Sequence, residues 1–500
     1  MATVYSLVCW GGRTGKTATA NASTDRITIN YNGLRSGMRI ALSGTMPTGL
    51  VQGTLYYVKP FSIHEFELYS DAGLTTRVLF STAGSSLVAK GAYFLNLSAP
   101  QLLRYGAVGA ERAYSTISAA LAGRAAASSL DQEVIEIGEG WDCYETVEIV
   151  GNLPAASTLL TTKVDGVWGG GFHNGTPRTG FVVVVFGTQE GISFNKYNHY
   201  CEGFSVKAGL AGINQFLIVL NKELCGARKM IFEGNNVAGT NGAWLYRSLT
   251  TLEDCLSFNC GAGIKLLQSV RGFRIAGCTS TKNDYGIRFE GDIASDIGGY
   301  HYNNLYVGNA ISNWGAGGVP TALEGSSNNA GLSGEAWILG TGTRVTVATT
   351  DFADFNGLNF RPASAASPQV DSGVAFYGIP PDDVGGAVRP NYNNGGAVAP
   401  DIGCYEFDHG YGPWPVTATL TLTGLVSGSD VVVLVAGTST ILTSVDANAG
   451  SSWVYTYSTV QNVDIGIIKP GYKVKYIRNY PLAASDISIP VEQQLDPSYS

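Results

Sequence analysis

The densest run of acidic residues in this 500-residue chain is Glu253-Asp254, followed by Asp284, Glu290, Asp292 and Asp296. Glycoside cleavage needs little more than two carboxylates flanking the scissile bond, one as acid and one as base or nucleophile. Glu253, Asp254, Asp284, Glu290 and Asp292 are therefore the catalytic candidates, for a glycoside hydrolase or a polysaccharide lyase. The same stretch carries Trp244, Tyr246, Tyr285, Tyr300, Tyr302 and Tyr306. Aromatic rings pack on sugar faces while neighbouring polar groups take the hydroxyls, which makes Trp244, Tyr246, Tyr285 and Tyr302 the glycan-binding candidates. Acidic residues at surface turns ordinarily keep a surface hydrated, and many such rings belong to a core. A binding or structural role is favoured over an enzyme.

Other chemistries find less support. The stretch Val8-Cys9-Trp10-Gly11-Gly12-Arg13-Thr14-Gly15-Lys16-Thr17 imitates a phosphate-cradling loop, but that loop needs Gly where Trp10 stands, and a helix must follow it. Here Ile27, Ile29 and Tyr31 soon alternate along an extended chain. No nucleotide site is expected; Trp10, Gly11 and Gly12 are read instead as an attachment element packing against a neighbouring protein. Five scattered His and eight Cys without a CxxC pair give neither a triad order nor metal-ligand spacing, so no metal and no cofactor are expected. Cys201, Cys225, Cys255, Cys260 and Cys278 are expected as a buried, reduced ladder.

The elements that must position these residues read as strands. With 65 Gly, 26 Tyr and only 14% charged residues, the composition is that of a turn-rich all-β protein, and mean hydropathy of +0.09 leaves ample core. No run approaches the roughly 18 apolar residues of a membrane span. A net charge of -8 argues against nucleic acid. No basic start leads into an apolar segment with a small-residue cleavage site, so folding in a cytoplasm is expected. One amphipathic helix is predicted around residues 111–124, from Tyr114, Ile117, Leu121 and Ala125. Beyond it KMIFEGN, CLSFNCG, GFRIAGC and NLYVGNA alternate with GAWLYR, AGIKLL, YGIRFE and AISNW. The second set's anchors, Trp244, Ile264, Ile287 and Ile311, are 20, 23 and 24 residues apart, one solenoid coil per interval. The first set's anchors, Phe232, Phe258, Ile275 and Val307, are less even. After DHGYGPWP a third texture of short strands predicts a β-sandwich, in which Lys469, Lys473, Lys475 and Arg478 are read as solvated strand charges.

Three segments resemble tailed-bacteriophage virion proteins. Asn32-Gly33-Leu34, Ser36-Gly37, SGTMPTGLVQGTLYYV and EFELYSDAG look like a small β-module that recurs in them, matching most of residues 25–90. Ser367-Pro368, Val370-Asp371, Gly373 and Asp401–Glu406 resemble the final coil of phage and bacterial parallel β-helices, where Asp371, Asp401 and Glu406 are expected as hydrogen-bonders closing the solenoid. GSDVVVLVAG and KPGYKVKYIRN are similar to a C-terminal module of phage structural proteins. The resemblance implies an all-β chain: an N-terminal β-module for virion attachment (1–98), a capping helix with a right-handed parallel β-helix (99–410), and a C-terminal β-sandwich (416–500). It implies a virion structural protein assembled in the host cytoplasm, a tail fibre or tailspike-like appendage contacting the host surface. Expected partners are other virion proteins, a homotrimer of this chain and host surface polysaccharide, without membrane insertion. A capsid-surface fibre or decoration protein, and a polysaccharide depolymerase on the same fold, stay open as alternatives.

Overall fold

A computed structural model describes residues 3–106, 111–123, 132–149, 157–186, 190–209, 216–236, 239–267, 270, 272–290, 299–309, 312–315, 326–327, 329–332, 345–373, 383–385, 400–406, 418–435, 441–457, 462–482 and 487–495. The chain divides into two compact units, the first holding a small barrel and a long solenoid, the second the C-terminal strands.

The solenoid is a parallel β-helix of three sheets. Strands Gln132–Ile137, Ser157–Thr161, His199–Glu202, Gly226–Arg228, Thr251–Glu253, Phe273–Ala276 and Gly299–Tyr302 stack in the first. The second runs from Asp142–Tyr144 through Val182–Val185, Ser205–Ala208, Ile231–Glu233, Leu256–Phe258 and Thr279–Thr281 to Leu305–Val307 and beyond. The third includes Val147–Ile149, Ile192–Phe194, Phe216–Leu220, Asn241–Leu245, Ala262–Leu267 and Tyr285–Glu290. Alternate residues point inward, so registered positions build continuous interior rows. Ile135, Leu160, Cys201, Ala227, Leu252, Ile275 and His301 form the row of the first sheet. Cys143, Val183, Val206, Phe232, Ser257, Ser280 and Tyr306 form that of the second. Each large apolar side chain withdrawn from water in this way contributes about 1.5–3 kcal/mol. At the corner between these sheets one residue per coil takes positive φ: Gly203, Lys229, Asp254, Gly277 and Asn303.

Several interior polar groups are paired across coils, while both ring nitrogens of buried His199 find no hydrogen-bond partner among the described residues. His301 Nε2 lies 2.7 Å from the Tyr306 hydroxyl. Asn283, Asn304 and Asn329 each accept a backbone N–H through Oδ1 and donate to a carbonyl of an earlier coil.

The predicted repeat anchors do not keep one register. Ile264 and Ile287 are true register partners facing inward, but the residues aligned with them are Ala243 on the strand before and Trp314 on the strand after, and Ile311 lies outside the described residues. Trp244 is displaced by one position, which in a period-2 strand turns it to the outer face. Ile275 belongs to the first sheet, not to that of Phe232 and Phe258; its coil enters the second sheet through the polar strand Thr279–Thr281.

The start of the chain is also partitioned differently. Thr3–Val8 lies in the solenoid's first sheet, parallel to Gln132–Ile137 on one side and Ala113–Tyr114 on the other. Residues 1–98 are thus not one module: the barrel is an excursion between two solenoid strands. It closes six strands, Lys16–Asn21, Arg26–Thr28, Glu65–Tyr69, Leu55–Pro60, Arg39–Thr45 and Ser85–Gly91, around Ile27, Ile40, Val58, Phe66 and Leu68. The capping helix is Ile117–Ala122, with Tyr114 in a strand before it. Thr116 Oγ1 accepts the Ala119 N–H, while Glu145 accepts those of Ile117 and Ser118, which satisfies the helix start. Ile117, Ala120 and Leu121 are buried in the main core cluster. Two further short helices, Ala92–Leu95 and Ala99–Arg104, follow the barrel without having been predicted; the second starts at a Ser98/Gln101 capping box.

The closing segment does not simply end the stack. Ile231, Leu256, Phe258, Leu305 and Val307, on the outer side of the second sheet, are buried beneath Phe352, Phe360, Val384, Ile402, Cys404 and Tyr405. The chain folds back along the solenoid. Asp401 Oδ1 accepts the Asp371 N–H, Glu406 accepts that of Asp401, and Gly403 N–H donates to Asn303. These acids do form hydrogen bonds, but in a lateral strap.

In the second unit Ser452–Tyr457, Ala418–Thr423 and Ile487–Pro490 face Ile441–Asn448, Ser429–Val435, Asn462–Ile468 and Lys475–Pro481. Leu420, Leu422, Val431, Val433, Val463, Ile465 and Ile467 fill the sandwich between them.

Candidate functional site

The strands of the first sheet in the middle of the solenoid are only three or four residues long, and each ends in one inward residue flanked by two outward ones. Two outer rows result. Tyr200, Gly226, Thr251, Arg274 and Tyr300 share one. Thr161, Glu202, Arg228, Glu253, Ala276 and Tyr302 share the other. Between the rows lies a shallow cavity of about 200 Å3, lined by Leu159, Tyr200, Glu202, Arg228, Thr251 and Glu253.

Acid and base alternate along the strip. Glu202 accepts from Thr161 Oγ1 at 2.7 Å and from Arg228 Nε at 3.0 Å, with Lys163 at 3.7 Å. Glu253 pairs with Arg274 at 2.9 Å. Burial pushes the Glu253 carboxyl above its ordinary value, and Arg274, Arg228 and Lys229 oppose that shift. Glu202 and Glu253 stand two coils apart, about 10 Å at ordinary strand spacing. Both are committed to arginines, an arrangement suited to presenting fixed hydrogen-bonding groups. Two aromatic rings are open to solvent beside them: Tyr200 is 42% exposed and Tyr300 55%, the latter stacked on Tyr302 with centroids 5.9 Å apart.

Of the predicted site residues, Glu253 and Tyr302 meet on this strip. The others do not join them. Asp254 is a buried corner residue at φ 50°, and Asp284 is an exposed turn residue at a different corner. Glu290 ends a strand of the third sheet in an ion pair with Lys265 at 3.0 Å. Asp292 lies outside the described residues, as does Asp296. Asp254 and Asp284 thus occupy different corners of the coil and do not face one bound sugar together. Trp244 and Tyr285 belong to the third sheet, and Tyr246 directly follows the strand of Trp244. Trp244 stacks on Phe216 at 4.2 Å, with Tyr246 edge-on at 4.7 Å, and Arg288 sits 5.1 Å from Tyr285. Tyr306 is interior. Sequence reasoning missed Glu202, Arg228, Arg274 and Tyr200. The signal was the x-apolar-x pattern of Tyr200-Cys201-Glu202 and Thr251-Leu252-Glu253, too short to register as strands in isolation.

The attachment reading of Trp10, Gly11 and Gly12 is also corrected. Trp10 is completely buried within its own chain, its Nε1–H donating to Asn32 O at 2.6 Å. Gly11 and Gly12 turn the backbone at φ 76° and 54°, and a Cβ on Gly12 would lie 2.7 Å from the Tyr114 backbone. The stretch joins solenoid to barrel, and Lys16 opens a barrel strand rather than a helix. Among the described residues no group of three or more His, Cys, Asp or Glu is placed to hold a metal ion, and no helix is long and apolar enough to cross a membrane.

No protein-family model and no curated protein matches the chain. Among solved structures it is similar to the tailspike protein of an Acinetobacter phage, at 12% identity and a TM-score of 0.27, over 90% of this chain and 88% of that one. The β-helix assignment rests on the strand registers given above.

Proposed function

We propose that this chain is a tailspike-like structural appendage of a tailed-phage particle, whose solenoid binds a host surface polysaccharide along the outer strip of its first sheet. The observation that carries the binding site is the pairing of exposed Tyr200 and Tyr300 with the arginine-held carboxylates Glu202 and Glu253. Rings offer sugar faces a surface, and the ion pairs fix hydrogen-bonding groups at coil intervals. The virion reading is supported by the resemblance of the barrel and strap segments to phage modules. The barrel is the attachment end in this reading, and a homotrimer is the assembly.

The test is incubation of the full chain with polysaccharide extracted from the host surface, followed by binding and sizing measurements. Retention of unshortened polymer is expected, with Tyr200→Ala and Tyr300→Ala weakening it about tenfold each, roughly 1.4 kcal/mol. Shortened polymer would replace the binder with the depolymerase alternative. Failure to bind at all would remove the strip as the contact surface. Immunogold labelling on head rather than tail would replace the appendage with a capsid fibre, and sedimentation as a monomer would overturn the trimer.

A further inference from the structure

A second cavity, of about 420 Å3, opens where the barrel, the two short helices and the first solenoid coil meet. Met38, Arg39, Tyr93, Asn96, Gln101 and Glu139 line it, contributed by those separate elements. The size falls within the range of small-molecule sites.

Glu139 is the one carboxylate among the lining residues and Arg39 the one cation, yet they form no ion pair with each other. Oε1 of Glu139 accepts the Trp10 N–H at 2.9 Å. Oε2 has no hydrogen-bond partner among the described residues. Arg39 is exposed, with the Tyr57 ring 5.9 Å from its guanidinium. Gln101 spends its Oε1 on Ser98, which leaves its amide N–H groups, the Asn96 amide and the Tyr93 hydroxyl as the remaining polar lining. A glutamine at 139 would accept the Trp10 N–H equally well without the cost of desolvating a carboxylate. The charge is therefore surplus to the fold, and a bound cation would offset its cost. Arg39 stands exposed on the same lining and is free to take an anionic group, so a ligand carrying both charges would use both residues.

We propose that this cavity binds a small zwitterion, its ammonium on Glu139 and its carboxylate on Arg39. The site is separate from the polysaccharide strip and does not depend on it.

The test uses the full chain, buffered above the Glu139 value of about 7 so that the carboxylate is ionised, in calorimetric titration and thermal melts, with glycine, β-alanine, 4-aminobutyrate and free lysine as probes of increasing charge separation. Methylamine and acetate serve as single-charge controls. At least one zwitterion is expected to bind and raise Tm where methylamine and acetate at equal concentration do not. Glu139→Gln, which keeps the acceptor for Trp10, and Arg39→Ala, at an exposed position, should each weaken binding about tenfold or more. Binding of none of the four, binding unchanged in both variants, or equal binding of methylamine alone would each overturn the proposal.

Discussion

The backbone N–H of Trp10 donates to Oε1 of Glu139 at 2.9 Å, tying the link into the barrel to the loop behind the first full solenoid strand, 129 residues away in sequence. Burial raises the Glu139 carboxyl from its ordinary 4.5 to about 7, against the lowering effect of that N–H. A folded pKa above the unfolded one means the folded chain holds a proton that the unfolded chain releases. Its contribution is complete below pH 4.5 and is lost as pH rises to about 7, on the order of 3 kcal/mol in all. Denaturant unfolding of wild type and Glu139→Gln at a series of pH values should show the variant gaining on wild type across that window. Parallel curves would refute it.

Three histidines act in the opposite sense. Burial lowers His173 and His199 to about 4 and His301 to about 3, so the folded chain excludes protons that the unfolded chain takes up near 6.5. Their contribution is present above pH 6.5 and is lost as pH falls toward 4. Thermal melts should therefore show Tm dropping as pH falls from 6.5 to 4, and His301→Gln should soften the drop.

Trp10→Ala should destabilise the first unit by about 3–5 kcal/mol, since it empties a fully buried indole site. Trp10→Phe should cost less but lose the hydrogen bond to Asn32, about 1 kcal/mol by itself. Unfolding midpoints followed by circular dichroism check both. A Trp10→Ala chain as stable as wild type would contradict the burial.

At the corner of the coil, Gly203 has φ +85°, and a Cβ there would collide with Thr162 Oγ1 and lie 2.6 Å from the Trp168 ring. Gly203→Ala should cost about 2 kcal/mol or more, read as a shift in denaturant midpoint.

All eight cysteines are buried as free thiols, and burial pushes Cys143, Cys201, Cys278 and Cys404 well up and raises Cys255. A thiol reagent should find none reactive in the native chain and eight in denaturant. Fast modification of even one native thiol would conflict with the packing.

Much of the architecture was open to reading because it depends on local pattern. Alternation in GIRFE and GIKLL marks strands wherever they lie, glycine-bounded turns set the coil length, and the apolar strands after residue 418 make a sandwich through period-2 burial alone. The helix was visible in Ile117 and Leu121. Its boundary was not, because Tyr114 pairs with Val8, a partner 106 positions away. The first sheet escaped notice for the same reason. Thr251–Glu253 is a strand only because Gly226–Arg228 and Phe273–Ala276 stack on either side of it.

An all-β chain with a repeating solenoid and a terminal sandwich follows from the sequence alone, because side-chain periodicity and turn chemistry act over a few residues. Which face each side chain takes was settled by long-range contacts. A one-residue shift in register placed Trp244 outside and Ala243 inside, and stacking brought Glu202, Arg228, Glu253 and Arg274 into one strip from four separate coils. It also closed Trp10 into the core and folded the strap around Asp401 along the solenoid's side. Those outcomes depend on contacts between residues distant in sequence, whose pairing no local pattern specifies.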